Sequence, residues 1–266
     1  MDDCGVDMSF LHPQELLTRA YAAGYALPSR LVRSMADAAS FFDAAEASRS
    51  PAVVRLDMAD GGASLAPEAA RRALEGSVPV MLQGDCGDSL ELVRLAAQSG
   101  CAAVGLDGSG FALEKNLAFT REAVRLARSL GLWAQGALAL DEQENGDAAP
   151  TEAAEFAISS GCNGLKILQQ GAAEPSFQVL ARLSSALQVY PLTIRPALKS
   201  LVEAGAEPLV DFGPPLDSRL TQICRLGVCV VEADELPPQE EAYRSLLAGV
   251  MARALKSAGQ ADQQVF

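Results

Sequence analysis

The feature that most restricts the fold of this chain is an alternation, repeated eight times, of short apolar runs rich in β-forming residues with helical patterns. Parallel neighbours need a crossover between them, usually a helix, so such an alternation builds βαβ units around a parallel sheet. The strand-like runs are Tyr25–Leu27, Pro51–Asp57, Pro79–Gly84, Ala102–Asp107, Leu132–Leu138, Gly164–Gln169, Pro208–Phe212 and Val228–Glu232. Between them, Ser89–Ser99 and Leu113–Leu130 space apolar residues by three and four, the stripe of a helix lying against a sheet. Gly100, Gly131, Gly161 and Gly227 fall between a helix and the next strand, where a C-cap asks for left-handed backbone. Eight such cycles in 266 residues, 49% of them apolar, predict an α/β fold, a (βα)8 TIM barrel, spanning residues 1–266 as one domain.

Two places break the cycle. Asp141–Ala149 is a polar, charged loop after the fifth run. The stretch around 171–195 is longer than one connection needs, and Phe177–Leu187 within it reads as an extra helical insertion. Tyr190–Ile194 competes with Pro208–Phe212 for the seventh strand position. Loops at the carboxyl ends of barrel strands shape the functional face.

Charge and residue counts exclude several function classes. With 21 Lys+Arg against 34 Asp+Glu, a formal charge of -13, the chain repels a phosphate backbone, so nucleic acid is excluded as a partner. No apolar run approaches the roughly 20 residues that span a bilayer, and the acidic start lacks a basic region followed by an apolar one. A cytoplasmic protein with no membrane partner is the expectation. The six cysteines form no C-x-x-C pair, as expected of reduced, buried thiols. The single histidine, His12, precedes Pro13 at a helix entrance and reads as a capping or surface residue. One imidazole per chain excludes any site that needs two.

Several segments, in order, carry a family likeness: Leu16–Ala26 (LLTRAYAAGYA), Ser50–Val54 (SPAVV), Val78–Asp88 (VPVMLQGDCGD), Leu106–Ser109 (LDGS), Glu114–Leu117 (EKNL), Pro208–Gly213 (PLVDFG) and Leu226–Val228 (LGV). Together they resemble the class II, zinc-dependent ketose-bisphosphate aldolases, the family that includes fructose- and tagatose-bisphosphate aldolases. The resemblance implies a barrel whose zinc is held by three histidines. At those positions stand Cys86 and Phe212, and no histidine follows Leu168-Gln169-Gln170. A lone thiolate opposite a phenyl ring does not make a zinc site. The family's two strand-five glutamates correspond to Gln135 and Ala137. Its phosphate cradle corresponds to Gly213-Pro214-Pro215 and Val231-Glu232-Ala233-Asp234, where proline lacks an N–H and two carboxylates repel phosphate. The expectation is a divergent member that retains no zinc cofactor and does not take a sugar bisphosphate.

Some working positions survive. Asp85 matches the family's proton-carrying aspartate, and Asp107-Gly108-Ser109 keeps its turn. The competing reading is that Asp85 and Asp107 cap helices or tie down loops. Lys166 is the only lysine set in an apolar strand, which suits a Schiff-base nucleophile if it points inward and a snorkelling surface residue if it points out. Arg55 on strand two and Gln83 on strand three, if they point inward, would line the same pocket and bind an anion or hydroxyl. The candidate catalytic residues are therefore Asp85 and Lys166, and the candidate substrate-binding residues are Arg55, Gln83, Asp107, Ser109 and Gly213.

Three functions follow from this set. The first is a pseudoenzyme, acting as a non-catalytic subunit or a binder of a small polar metabolite. The second is a metal-independent lyase or transferase using Lys166 and Asp85. The third is an aldolase with an atypical metal site. The resemblance also implies a homo-oligomer, or a hetero-oligomer with an intact aldolase.

Overall fold

The computed structural model describes residues 12–23, 26–47, 49–140, 149–169, 177–187, 190–194, 228–232 and 234. Its strands are β1 (Leu27–Val32), β2 (Ala52–Asp57), β3 (Val80–Gly87), β4 (Ala103–Leu106), β5 (Trp133–Leu140), β6 (Gly164–Gln169), β7 (Leu192–Ile194) and β8 (Val228–Glu232). Each pairs in parallel with the next, and β8 returns to β1, so the sheet closes into a (βα)8 TIM barrel. The described helices are α1 (Pro13–Ala23), α2 (Met35–Ala47), α3 (Gly62–Glu75), α4 (Leu90–Gln98), α5 (Leu113–Ser129), α6 (Ala149–Ser160) and α7 (Phe177–Leu187). None of the described helices is long and apolar enough to cross a membrane.

Six strands lie within three residues of their expected places, and two need correction. The first strand is Leu27–Val32, not Tyr25–Leu27. Its polar-looking centre, Pro28-Ser29-Arg30, is buried because the barrel closes around Ser29 and α2 covers Arg30. The seventh strand is Leu192–Ile194, with Leu192 opposite Leu165 of β6 and Val228 of β8. Pro208–Phe212, the expected seventh strand, lies outside the described residues. With β7 placed there, α7 is the ordinary crossover from β6 to β7 and not an extra insertion. The polar loop at 141–148 is also outside the described residues.

Side-chain parity divides the interior. In β2, Ala52, Val54 and Leu56 face the helices and join the core that holds Phe41, Phe42 and Val93, while Val53 faces the barrel axis. Buried on both faces, such a strand reads as a near-continuous apolar run. The lower barrel is an apolar plug of Leu27, Val53, Met81, Ala103, Trp133 and Val230, closed from below by Leu16, Leu17 and Ala20 of α1. Trp133 Nε1 donates to Gln14 Oε1 at 3.3 Å, fixing α1 to this floor. A Cβ on Gly164 would come within 2.5 Å of the Trp133 ring, so the indole fills space that only glycine leaves. His12 accepts at its carbonyl from Glu15 and Leu16 N–H, and at Nδ1 from Gln14 N–H, the capping role expected of it. Gly100, Gly131 and Gly161 have φ between 72° and 86°, as helix ends in left-handed backbone require.

Candidate functional site

Above the apolar plug the same inward parity carries polar groups. The register sets Arg55 beside Gln83 and Asp57 beside Asp85. It then sets Asp85 beside Gly105, Gly105 beside Gln135, Ala137 beside Lys166, and Ser29 beside Glu232. Ser29, Arg55, Gln83, Gln135, Thr193 and Glu232 are all buried.

These groups form one connected network. The Arg55 guanidinium is 3% exposed and donates through Nε to Ser29 Oγ at 2.9 Å and through Nη1 to Asp85 Oδ2 at 2.9 Å. Glu232 Oε1 lies 3.1 Å from the same Nη1, and Nη2 is held by Asp234. Lys166 points inward, with Nζ 2.8 Å from Glu232 Oε1. Gln83 Nε2 donates to Asp85 Oδ1 at 3.0 Å, and Gln135 Nε2 to Thr193 Oγ1 at 2.7 Å. Asp234 also accepts at Oδ1 from Leu31 N–H and at its carbonyl from Arg30 Nη1, both at 2.9 Å. Gly105 makes room for this arrangement, since a Cβ there would stand 2.8 Å from both Asp85 Oδ1 and Gln83 Nε2.

The electrostatics follow from burial and pairing. Burial pushes the Asp85 carboxyl upward, and the pull of Arg55, Lys166 and the Gln83 hydrogen bond only partly offsets this, so it titrates above the ordinary aspartate value. Burial works against the Arg55 charge, but Asp85, Glu232 and Asp234 outweigh it and hold the guanidinium more firmly protonated than usual.

A cavity of about 300 Å³ opens at the carboxyl ends of the strands, with Asp57, Asp85, Asp88, Asp107, Gln135 and Lys166 on its wall. Asp85, Lys166 and Asp107 of the expected set thus meet at one opening. Arg55, Gln83 and Ser109 are not on its wall: the first two lie in the buried network, and Ser109 is bound to Asp107. Asp107 Oδ1 accepts from Ser109 N–H at 3.0 Å and from the Ser109 hydroxyl, the local turn that competed with a ligand role. Gly213 lies outside the described residues. Sequence reasoning missed Glu232 and Asp234 as partners of Arg55 and Lys166. The available signal was a carboxylate ending the otherwise apolar run Val228–Glu232, in phase with inward-facing Val230.

Cys86, at the first expected zinc position, occupies the β3 irregularity between Asp85 and Gly87. It is 1% exposed, its thiol contacts Gly84 O at 3.3 Å, and it packs in the layer between sheet and helices. Burial, with Asp85 and Cys101 nearby, pushes the thiol far above its ordinary range, whereas zinc takes thiolate. Among the described residues no three His, Cys, Asp or Glu side chains gather as a metal site. Of the three expected zinc positions only Cys86 is described, and its packing turns it away from that role; Phe212 and the residues just after Gln169 lie outside the described residues.

The sequence profile of class II fructose-bisphosphate aldolase matches residues 12–165. The protein YdjI of Escherichia coli (strain K12) is 27% identical over 236 residues, covering 80% of this chain and 84% of that protein. A fructose-bisphosphate aldolase of Thermus caldophilus is 29% identical over 166 residues, 58% of this chain and 54% of its own. Among solved structures, the crystal structure of the YdjI aldolase from E. coli K12 superposes with a TM-score of 0.72 at 21% identity, covering 95% of this chain and 98% of that one. Fructose-bisphosphate aldolase from Campylobacter jejuni gives a TM-score of 0.69 at 13% identity, with 94% and 95% covered.

Proposed function

Because the chain belongs to the class II fructose-bisphosphate aldolase family, we propose that it keeps the family's barrel and proton-carrying aspartate but binds a small polar molecule without zinc-dependent cleavage of a sugar bisphosphate. One observation carries this reading: Lys166 on the cavity wall and Arg55 in the buried network behind it are both already bound to carboxylates of the chain itself. Bisphosphate recognition needs donors aimed outward at the ligand. Aldol cleavage also builds enolate charge, and without an electrophile to take it the barrier stays several kcal/mol too high. Cys86, the thiol at the expected zinc position, is 1% exposed and packed between sheet and helices.

What the mouth does offer is a cavity with hydroxyl- and amine-binding groups. Asp85 presents carboxylate oxygens that accept from Arg55 and Gln83 and have lone pairs left for a ligand hydroxyl or amine, and Gln135 adds an amide. The test is direct. The purified protein is assayed with fructose and tagatose bisphosphates after chelation and after zinc addition, beside a thermal-shift screen of unphosphorylated polyols and amino sugars. No turnover in either state, with stabilisation by at least one unphosphorylated compound, is expected. Zinc-restored cleavage would defeat the reading.

The metal-free lyase is the second reading, and it is favoured by Lys166 Nζ standing on the same cavity wall as Asp85. Lys166 would first pass a proton to Glu232 as their pair opens; the neutral amine would then attack a carbonyl carbon, its two remaining protons leaving with the carbonyl oxygen as water when the imine forms. Borohydride with pyruvate or dihydroxyacetone should then leave a reduced adduct on Lys166, and an unmodified Lys166 peptide removes this alternative. The chain is further proposed to assemble with itself or with an intact aldolase, which light scattering of the protein alone and of the mixture would reveal.

A further inference from the structure

The Arg55 guanidinium has five N–H groups, and its described acceptors are Ser29 on Nε, Asp85 and Glu232 on Nη1, and Asp234 on Nη2. Lys166 shares Glu232. Glu232 is 1% exposed and Asp234 18%, so the carboxylates come from the end of β8 and its turn to cover both cations from within. A group tethered to the chain competes at an effective concentration that a free anion does not reach in solution. The open cavity wall then carries Asp57, Asp85, Asp88 and Asp107 against Lys166 as the one cation of its described lining.

We propose that Glu232 and Asp234 are specificity-determining residues: a built-in anion that fills the positive subsite at Arg55 and Lys166, so that the mouth admits uncharged or amino-substituted polyols and turns away phosphate esters and carboxylates. The inference rests on the small-molecule reading above and adds the ligand class to it. Asp85 plays a different part, since it faces the cavity and is held by Gln83 as well as Arg55.

The experiment converts the subsite. Melting temperature is measured in phosphate and in chloride at equal ionic strength, for wild type, for Glu232→Gln with Asp234→Asn, and for that double variant carrying Arg55→Met. Wild type should respond equally to the two salts. The double variant should bind inorganic phosphate roughly tenfold or more tightly than wild type, the scale of removing a like charge from such a site. Adding Arg55→Met should abolish the gain. If the double variant does not fold, Asp234→Asn alone, the more exposed position, reads the same response at half the charge. A folded double variant with no phosphate gain, or a gain that survives the addition of Arg55→Met, overturns the inference. Zinc-dependent bisphosphate cleavage by the wild type would instead defeat the functional reading, so the two failures are told apart.

Discussion

Replacing Arg55 with methionine tests the network at its centre. The side chain is 3% exposed and serves Asp85 at 2.9 Å, Glu232 at 3.1 Å and Asp234. Methionine keeps much of the volume but leaves three carboxylates facing one another with Lys166 as the remaining described cation among them. Breaking a buried pair by removing one partner costs about 3–5 kcal/mol, because the other charge stays buried and uncompensated. Set against a total stability of about 5–15 kcal/mol, that is a large share. For a chain of this size each kcal/mol moves the midpoint by about 2–4 °C, so a fall of roughly 6–20 °C is expected. The sign of the pH effect follows from Asp85, whose folded-state pKa is already raised by burial and rises further once the Arg55 charge is gone. Stability from such a raised group is full below the unfolded pKa, about 4, and is lost as pH rises through the folded pKa. The deficit of the variant should therefore be largest at pH 7.5 and shrink on acidification to pH 5. Urea unfolding followed by circular dichroism at both pH values measures it. A deficit under about 1 kcal/mol at pH 7.5, or one that widens in acid, refutes the buried-network argument.

Other perturbations read other parts of the mouth. Asp85→Asn removes a carboxyl whose folded pKa is raised by burial, so wild type should lose stability relative to the variant as pH climbs from about 4 through the folded value; denaturation midpoints against pH would show it, and a flat difference would contradict the shift. Gly105→Ala places a methyl 2.8 Å from Asp85 Oδ1 and Gln83 Nε2, which should destabilise by roughly 1–3 kcal/mol and blunt any ligand-induced rise in melting temperature. Cys86, buried and held protonated, should react with iodoacetamide on the order of a hundredfold more slowly in the native protein than in urea; mass spectrometry of its peptide decides, and equal rates would mean that the thiol is open to solvent.

Much of the barrel was legible because parity and apolar content agree over β2, β3, β5, β6 and β8. β1 was misplaced because Pro28, Ser29 and Arg30 give it the appearance of a loop, and proline ordinarily argues against a strand interior. Only closure against Val53 on one side and Glu232 on the other makes that segment a buried strand. β7 is three residues long, too short for a periodic signal, and its pairing with Leu165 is a nonlocal fact. At the site, an apolar strand run left the direction of Lys166 open, inward or snorkelling out, and its ion pair with Glu232 is what turns it inward. The partnership of Arg55 with Asp234, 179 residues apart, left no local trace.

Asp234 joins the last strand's turn to the backbone of Leu31 in the first. The clasp that neutralises the mouth is therefore also the seam that shuts the ring. Its contacts have the largest sequence separation in the network, so they are among the last that a folding chain can make. During synthesis Arg55 emerges long before Glu232 and Asp234 exist to meet it. Until β8 arrives, Arg55 has only Asp85 of its three described carboxylate partners, and the step that completes its pairing is the step that closes the ring.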